Sequence, residues 1–174
     1  MTQNQRLEAL TEELSKESRT DELTGIFNRR GFMEYGQRML DLSIATGAKG
    51  SVFFFDMDGL KKINDTWGHK TGDAAIQTLA EVLKEAFHKS DIVGRLSGDE
   101  FAVIAPGFDK KNGPILRTRI EQLCKEFSLK EKLPLEISTS FGIATYSSDK
   151  TKLNQLLMQA DKELYKEKKI KHGR

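Results

Sequence analysis

Two acidic clusters carry the strongest chemical signal in this chain: Asp56 with Asp58, and Asp99 with Glu100. The first pair follows a β-prone apolar run at 51–55. The second lies between two further apolar runs, at 92–96 and 101–105, with Gly98 marking a hairpin tip. Hard oxygen ligands from separate elements are what Mg²⁺ takes, with substrate phosphates and water completing its octahedron. Two such ions can clamp the attacking and leaving oxygens of a phosphoryl transfer. Asp and Gly also gather in turns for conformational reasons alone. The clusters by themselves therefore leave a metal site and a pair of ordinary turns both open.

The residues after the first cluster add to the chemistry. Lys61, Lys62, Asn64, Asp65, His69 and Asp73 crowd one segment. Lys61 offers a compact cation for a phosphate. Asn64 and Asp73 together offer the donors and acceptors that would read a guanine edge. Asp73 also suits a helix N-cap, and Gly68 and Gly72 suit turns. His69 has no second ligand at helical spacing, which favours a structural role over zinc.

The elements that must position these groups follow from periodicity. Leu7, Leu10 and Leu14 make a stripe at spacings of three and four, so residues 1–18 are expected to form a helix. That helix either packs on its own domain or ends a coiled-coil linker. A second helix is expected from about Asn28, with Phe32, Tyr35, Met39 and Leu42 turned inward. The run at 51–55 reads as a central strand buried on both faces. A helix from about Asp73, a hairpin, a helix over 113–127, a long strand over 135–146 and a last helix over 153–171 complete the order. This pattern predicts one α+β domain of ferredoxin-like kind at 19–174, with a mixed sheet surrounded by helices.

Composition excludes several classes. The 28 basic and 26 acidic residues nearly cancel, leaving a net charge of +2 and no support for a broad nucleic-acid surface. Cys124 is the only cysteine, so a disulfide within the chain and a cysteine-based zinc cluster are ruled out. Its apolar neighbours Ile120, Leu123 and Phe127 suggest a buried structural thiol. The run at 52–55 is far below the ~20 residues of a membrane span, and the polar start is unlike a secretory signal. The expectation is a soluble, cytoplasmic protein without a membrane segment.

Four ordered segments resemble the GGDEF-domain diguanylate cyclases. Residues 21–30, DELTGIFNRR, are similar to the family's D-x-L-T-G-L-x-N-R-R; residues 55–65, FDMDGLKKIND, resemble F-D-x-D-x-F-K-x-I-N-D. Residues 95–101, RLSGDEF, resemble R-x-G-G-D-E-F, and residues 160–168, ADKELYKEK, resemble A-D-x-A-L-Y-x-A-K. The resemblance covers about 19–172.

It implies a nucleotidyl-cyclase or polymerase-palm type fold that condenses two GTP into cyclic di-GMP and two pyrophosphates, with two Mg²⁺ (or Mn²⁺) per site. It implies Asp56, Asp99 and the Met57 carbonyl as metal ligands, with Glu100 holding the second metal or assisting deprotonation. Asn64 and Asp73 would read guanine, Lys61 and Lys168 would contact the triphosphate, and Gly98 would let backbone approach the nucleotide. Each protomer holds half of the reacting pair, so a homodimer, transient or linker-driven, is implied, with a sensor domain upstream. Three departures stand out. Ser97 replaces the first signature glycine, which keeps a catalytically silent GTP-binding regulatory domain as the alternative. His88-Lys89-Ser90-Asp91 replaces the product-inhibition motif R-x-x-D, so feedback by product is not expected. The closing G-R-N is missing, with Lys169, Lys171 or Arg174 as substitutes.

Overall fold

A computed structural model describes residues 1–147 and 151–172. The order is α1 (Gln3–Glu17), α2 (Arg29–Ala45), β1 (Gly50–Met57), α3 (Leu60–Trp67), α4 (His69–Ala86), β2 (Ile92–Ser97) and β3 (Glu100–Pro106). A short 3₁₀ turn at Lys110–Asn112 precedes α5 (Gly113–Lys130), β4 (Thr139–Tyr146) and α6 (Leu153–His172). Arg174 lies outside the described residues.

The sheet runs β2-β3-β1-β4, and its three pairings are antiparallel. The expected mixed sheet is thus corrected. β1 and β2 do run parallel, but β3 inserts between them, so they never share a ladder. Parallel pairing among the described residues is one isolated bridge, Phe27 with Gly94.

β1 is central and buried along its whole length except at Asp56. Side chains alternate across a strand, and the two faces of β1 feed two cores. Phe53, Phe55 and Met57 pack with Ile76, Leu79, Leu83 and Ile120 of α4 and α5. Val52 and Phe54 pack with Phe32, Leu40, Leu153 and Leu156 of α2 and α6. Asp56 has the parity of Val52 and Phe54, so it faces the α6 side of the sheet.

Three local expectations change. On α2 the buried positions are Gly31, Phe32, Gly36, Leu40 and Ser43, while Leu42 is exposed. The segment after β1 folds into two helices, and Asp73 is the fifth residue of α4; Gly68, with φ 92°, takes the N-cap position instead. β4 starts at Thr139, so Leu135 and Ile137 lie before it. Ile137 is nevertheless buried, and its N–H donates to Ser128 Oγ at 3.0 Å rather than to a ladder.

Candidate active site

Register brings the two acidic clusters together. Asp56 of β1 stands opposite Glu100 of β3, the first residue after the hairpin tip. The Met57 N–H donates to the Asp99 carbonyl at 2.8 Å, which extends this pairing to the tip itself. Asp56, Met57, Asp99 and Glu100 therefore meet at one end of the sheet.

Asp56 is electrostatically unusual. Burial pushes its carboxyl up to about 6, with the Lys168 hydrogen bond opposing and the Asp99 carboxylate reinforcing the rise. Lys168 Nζ pairs with Oδ2, while Oδ1 is buried with no hydrogen-bond partner among the described residues. The cation arrives by helix packing. A Cβ on Gly142 of β4 would lie 2.1 Å from the Ala160 carbonyl oxygen, so α6 rests almost directly on the strand. Ala160 and Leu164 are buried, and Lys168 continues the same face one turn later.

An orphaned carboxylate oxygen with a second carboxylate beside it suits a divalent cation, and the Lys168 ammonium holds the place of a positive charge on Oδ2. Among the described residues no three His, Cys, Asp or Glu side chains converge as a metal-binding group. Few protein ligands suit Mg²⁺, which keeps waters and substrate phosphates. Asp58 is otherwise engaged. Its two oxygens accept from Ser140 Oγ and Ser138 Oγ, each at 2.8 Å, and Lys171 Nζ lies 3.3 Å away. This carboxylate ties β1 to β4 and α6, and Lys171 is committed to it.

The hairpin tip is anchored from behind. Arg95 donates to the Gly98 carbonyl through Nη2 at 3.0 Å and Nε at 3.2 Å, and pairs through Nη1 with Asp21 at 3.2 Å. Asp21 also accepts from the Thr24 N–H and hydroxyl. Ser97 Oγ bonds Glu100 Oε1 across the tip. Gly98 faces open space.

The residues expected to read the nucleotide lie on α3 and α4. A Cβ on Gly72 would fall 1.7 Å from Asn64 Oδ1, so the Asn64 amide lies on the bare face of α4 next to Asp73. Asp73 and Lys61 are exposed. Lys61 occupies the first turn of α3, which begins three residues after β1 ends.

The sequence profile described as "Diguanylate cyclase, GGDEF domain" matches residues 18–174. The chain belongs to the GGDEF family. This GGDEF domain is 33% identical over 172 residues to "Diguanylate cyclase DgcP" of Escherichia coli K12, covering 94% of the chain and 50% of that protein. It is 31% identical to "Cyclic di-GMP phosphodiesterase NbdA" of Pseudomonas aeruginosa, covering 97% of the chain and 22% of that protein. Among solved structures, the coiled coil and GGDEF domain of DgcB from Caulobacter crescentus, in complex with c-di-GMP, superposes with a TM-score of 0.78. The identity there is 26%, with 98% of this chain and 90% of that one covered. The domain spans half or less of the length of these two curated relatives.

Two features of this GGDEF domain escaped the reading by spacing. The Asp21–Arg95 pair joins residues 74 positions apart, so only their membership in two motifs hinted at a role. At 88–91, Asp91 Oδ2 accepts the His88 N–H at 2.9 Å. That carboxylate closes its own turn, a local structural use. Cys124 is buried, with its thiol pushed up to about 12 by burial, as a structural cysteine should be.

Among the described residues no helix is long and apolar enough to cross a membrane.

Proposed function

We propose that this domain is a diguanylate cyclase, joining two GTP into cyclic di-GMP with release of two pyrophosphates. The observation that carries the reading is the meeting of Asp56 and Asp99, with one buried Asp56 oxygen unpaired among the described residues and a lysine ammonium on the other. Asp56, Asp99 and the Met57 carbonyl would hold Mg²⁺ or Mn²⁺, and Glu100 beside them would hold the second metal or assist deprotonation. Divalent ions bound there supply Lewis acidity toward the α-phosphate and the attacking ribose hydroxyl.

The chain's own residues do the rest. Asn64 and Asp73 read the guanine, and the Gly72 surface holds Asn64 in place. Lys61 meets the phosphates, and Lys168 can exchange Asp56 for a phosphate oxygen when the nucleotide arrives. The Arg95 anchor keeps the tip from drifting. Each domain carries one nucleotide, so the reaction needs two domains face to face, where proximity is worth up to ~7–11 kcal/mol of barrier. Leu7, Leu10 and Leu14 of α1 are each more than half exposed. This supports α1 as the end of a coiled coil between two copies, downstream of a sensor domain; the DgcB structure likewise carries a coiled coil.

Incubation with Mg²⁺ and either GTP or ATP, followed by chromatography of the nucleotides, tests the reading. Cyclic di-GMP from GTP alone is expected, and Asp99→Ala should abolish it while leaving the melting temperature intact. GTP binding without product would establish a silent regulatory domain instead.

A further inference from the structure

Ser97 and Glu100 face each other as the closing pair of the β2–β3 hairpin, after a register shift between Arg95 and Ser97. The Ser97 hydroxyl bonds Glu100 Oε1. Oε2 has no hydrogen-bond partner among the described residues. Both ends of this contact are held: Arg95 grips the Gly98 carbonyl inside the turn, and Glu100 sits in register opposite Asp56. A glycine at 97 has no group to offer here.

We propose that Ser97 is a positioning residue for Glu100 in the metal and nucleotide site. The inference rests on the cyclase reading above. A free glutamate side chain has three rotatable bonds and samples many directions at a hairpin tip. A hydroxyl donating to an ionised carboxylate makes a charge-assisted bond. It commits Oε1 and leaves Oε2 as the oxygen available to a cation. Groups that orient a metal-binding carboxylate in this way commonly change metal affinity by about 10–100-fold when removed. The serine is thus a functional replacement for the glycine of the family signature, with its own contact to make.

The test is Mn²⁺ binding, followed by electron paramagnetic resonance, with 3′-deoxy-GTP present so that no turnover occurs. Ser97→Ala should weaken Mn²⁺ binding about tenfold, and Ser97→Thr, which keeps the hydroxyl, should restore most of it. Introduced into a Glu100→Gln background, Ser97→Ala should have no further effect. Thermal melts run alongside establish that each variant is folded. Unchanged Mn²⁺ affinity in Ser97→Ala, or an equal loss in both backgrounds, would show that the hydroxyl serves only the turn and would overturn the proposal. If Glu100→Gln by itself leaves Mn²⁺ binding untouched, Glu100 is not in the site. That result overturns the role assigned to Glu100 in the cyclase reading, and the Ser97 proposal with it.

Discussion

The Asp56 carboxyl sits near 6 because burial penalises its charge more than Lys168 relieves it. A carboxylate raised in the folded state stabilises the fold below its unfolded value, near 4, and that contribution is lost as pH rises through 6. With chelator present, the melting temperature of Asp56→Asn minus that of the unmodified domain should therefore grow between pH 4.5 and 7.5. A difference that shrinks would mean that Lys168 outweighs burial. On the proposed reading metal binding runs the other way: a divalent ion at Asp56 would compete with the proton, so its affinity should fall as pH drops below 6.

A second prediction concerns Gly72→Ala. The new methyl would meet Asn64 Oδ1, the far end of a movable side chain, rather than backbone. Alanine also favours a helix over glycine by about 1 kcal/mol. The melting temperature should hold or rise while GTP affinity falls about tenfold, as expected when a polar contact worth ~1–3 kcal/mol is lost. Calorimetry beside thermal melts separates the two effects, and unchanged GTP binding would remove Asn64 from base recognition.

Among the elements, α6 depends on Gly142 as strictly as any helix here depends on its apolar face. An alanine at 142 puts a Cβ 2.1 Å from the Ala160 carbonyl and 2.4 Å from the Leu164 nitrogen, both backbone atoms that cannot rotate away. The helix must lift, at a cost of ~1–3 kcal/mol, and Lys168 must leave Asp56. Gly142→Ala should therefore lower both the melting temperature and turnover, whereas Lys168→Met should spare the fold far more. Equal turnover in Gly142→Ala and the unmodified domain would detach α6 placement from catalysis.

The same scale shows what was readable from residues. The β1 run, the hairpin and the motif residues at the carboxylate end were visible because apolar alternation and turn chemistry are local. The inner face of α2 was partly misread because Gly36 and Ser43 are buried without a hydrophobic signal, and Leu42 drew the reading to the wrong side. Gly68 and Gly72 looked like turn residues. Gly68 does take a left-handed φ at a helix boundary, but Gly72 is buried within α4, where its missing side chain makes room for Asn64. The extra helix α3 and the demotion of Asp73 from cap to helix surface follow from that. Alternation overstates the length of β4, since Ile137 keeps the alternation and the burial while bonding Ser128 instead of a neighbour strand. Contacts such as Asp21–Arg95 belong to tertiary folding and have no local signature.

For the whole molecule, the cyclase reading requires two copies to meet. If α1 ends a coiled coil, a parallel dimeric zipper fused ahead of Leu7 should raise specific activity, and the gain should vary with heptad phase. Rotation about the coil axis decides whether the half-sites oppose each other, and tethering raises the effective concentration only when the geometry allows both to engage. Deleting residues 1–17 should leave the melting temperature unchanged, since the α1 leucines are exposed, and should lower activity at dilute protein. A gain that ignores phase, or full activity after deletion, would assign α1 no part in pairing.

The contact between Lys168 and Asp56 has a consequence for supply. Where a metal provides the energy of folding, a protein starved of it unfolds and is destroyed. Here an ammonium belonging to the chain already relieves part of the charge at the carboxylate, so folding does not wait on an imported ion. Chelation should silence the domain and leave its melting temperature nearly unchanged. If the domain is the proposed cyclase, a cell short of divalent ions would keep the folded protein in reserve, and output would return within the time of ion binding, with no new synthesis.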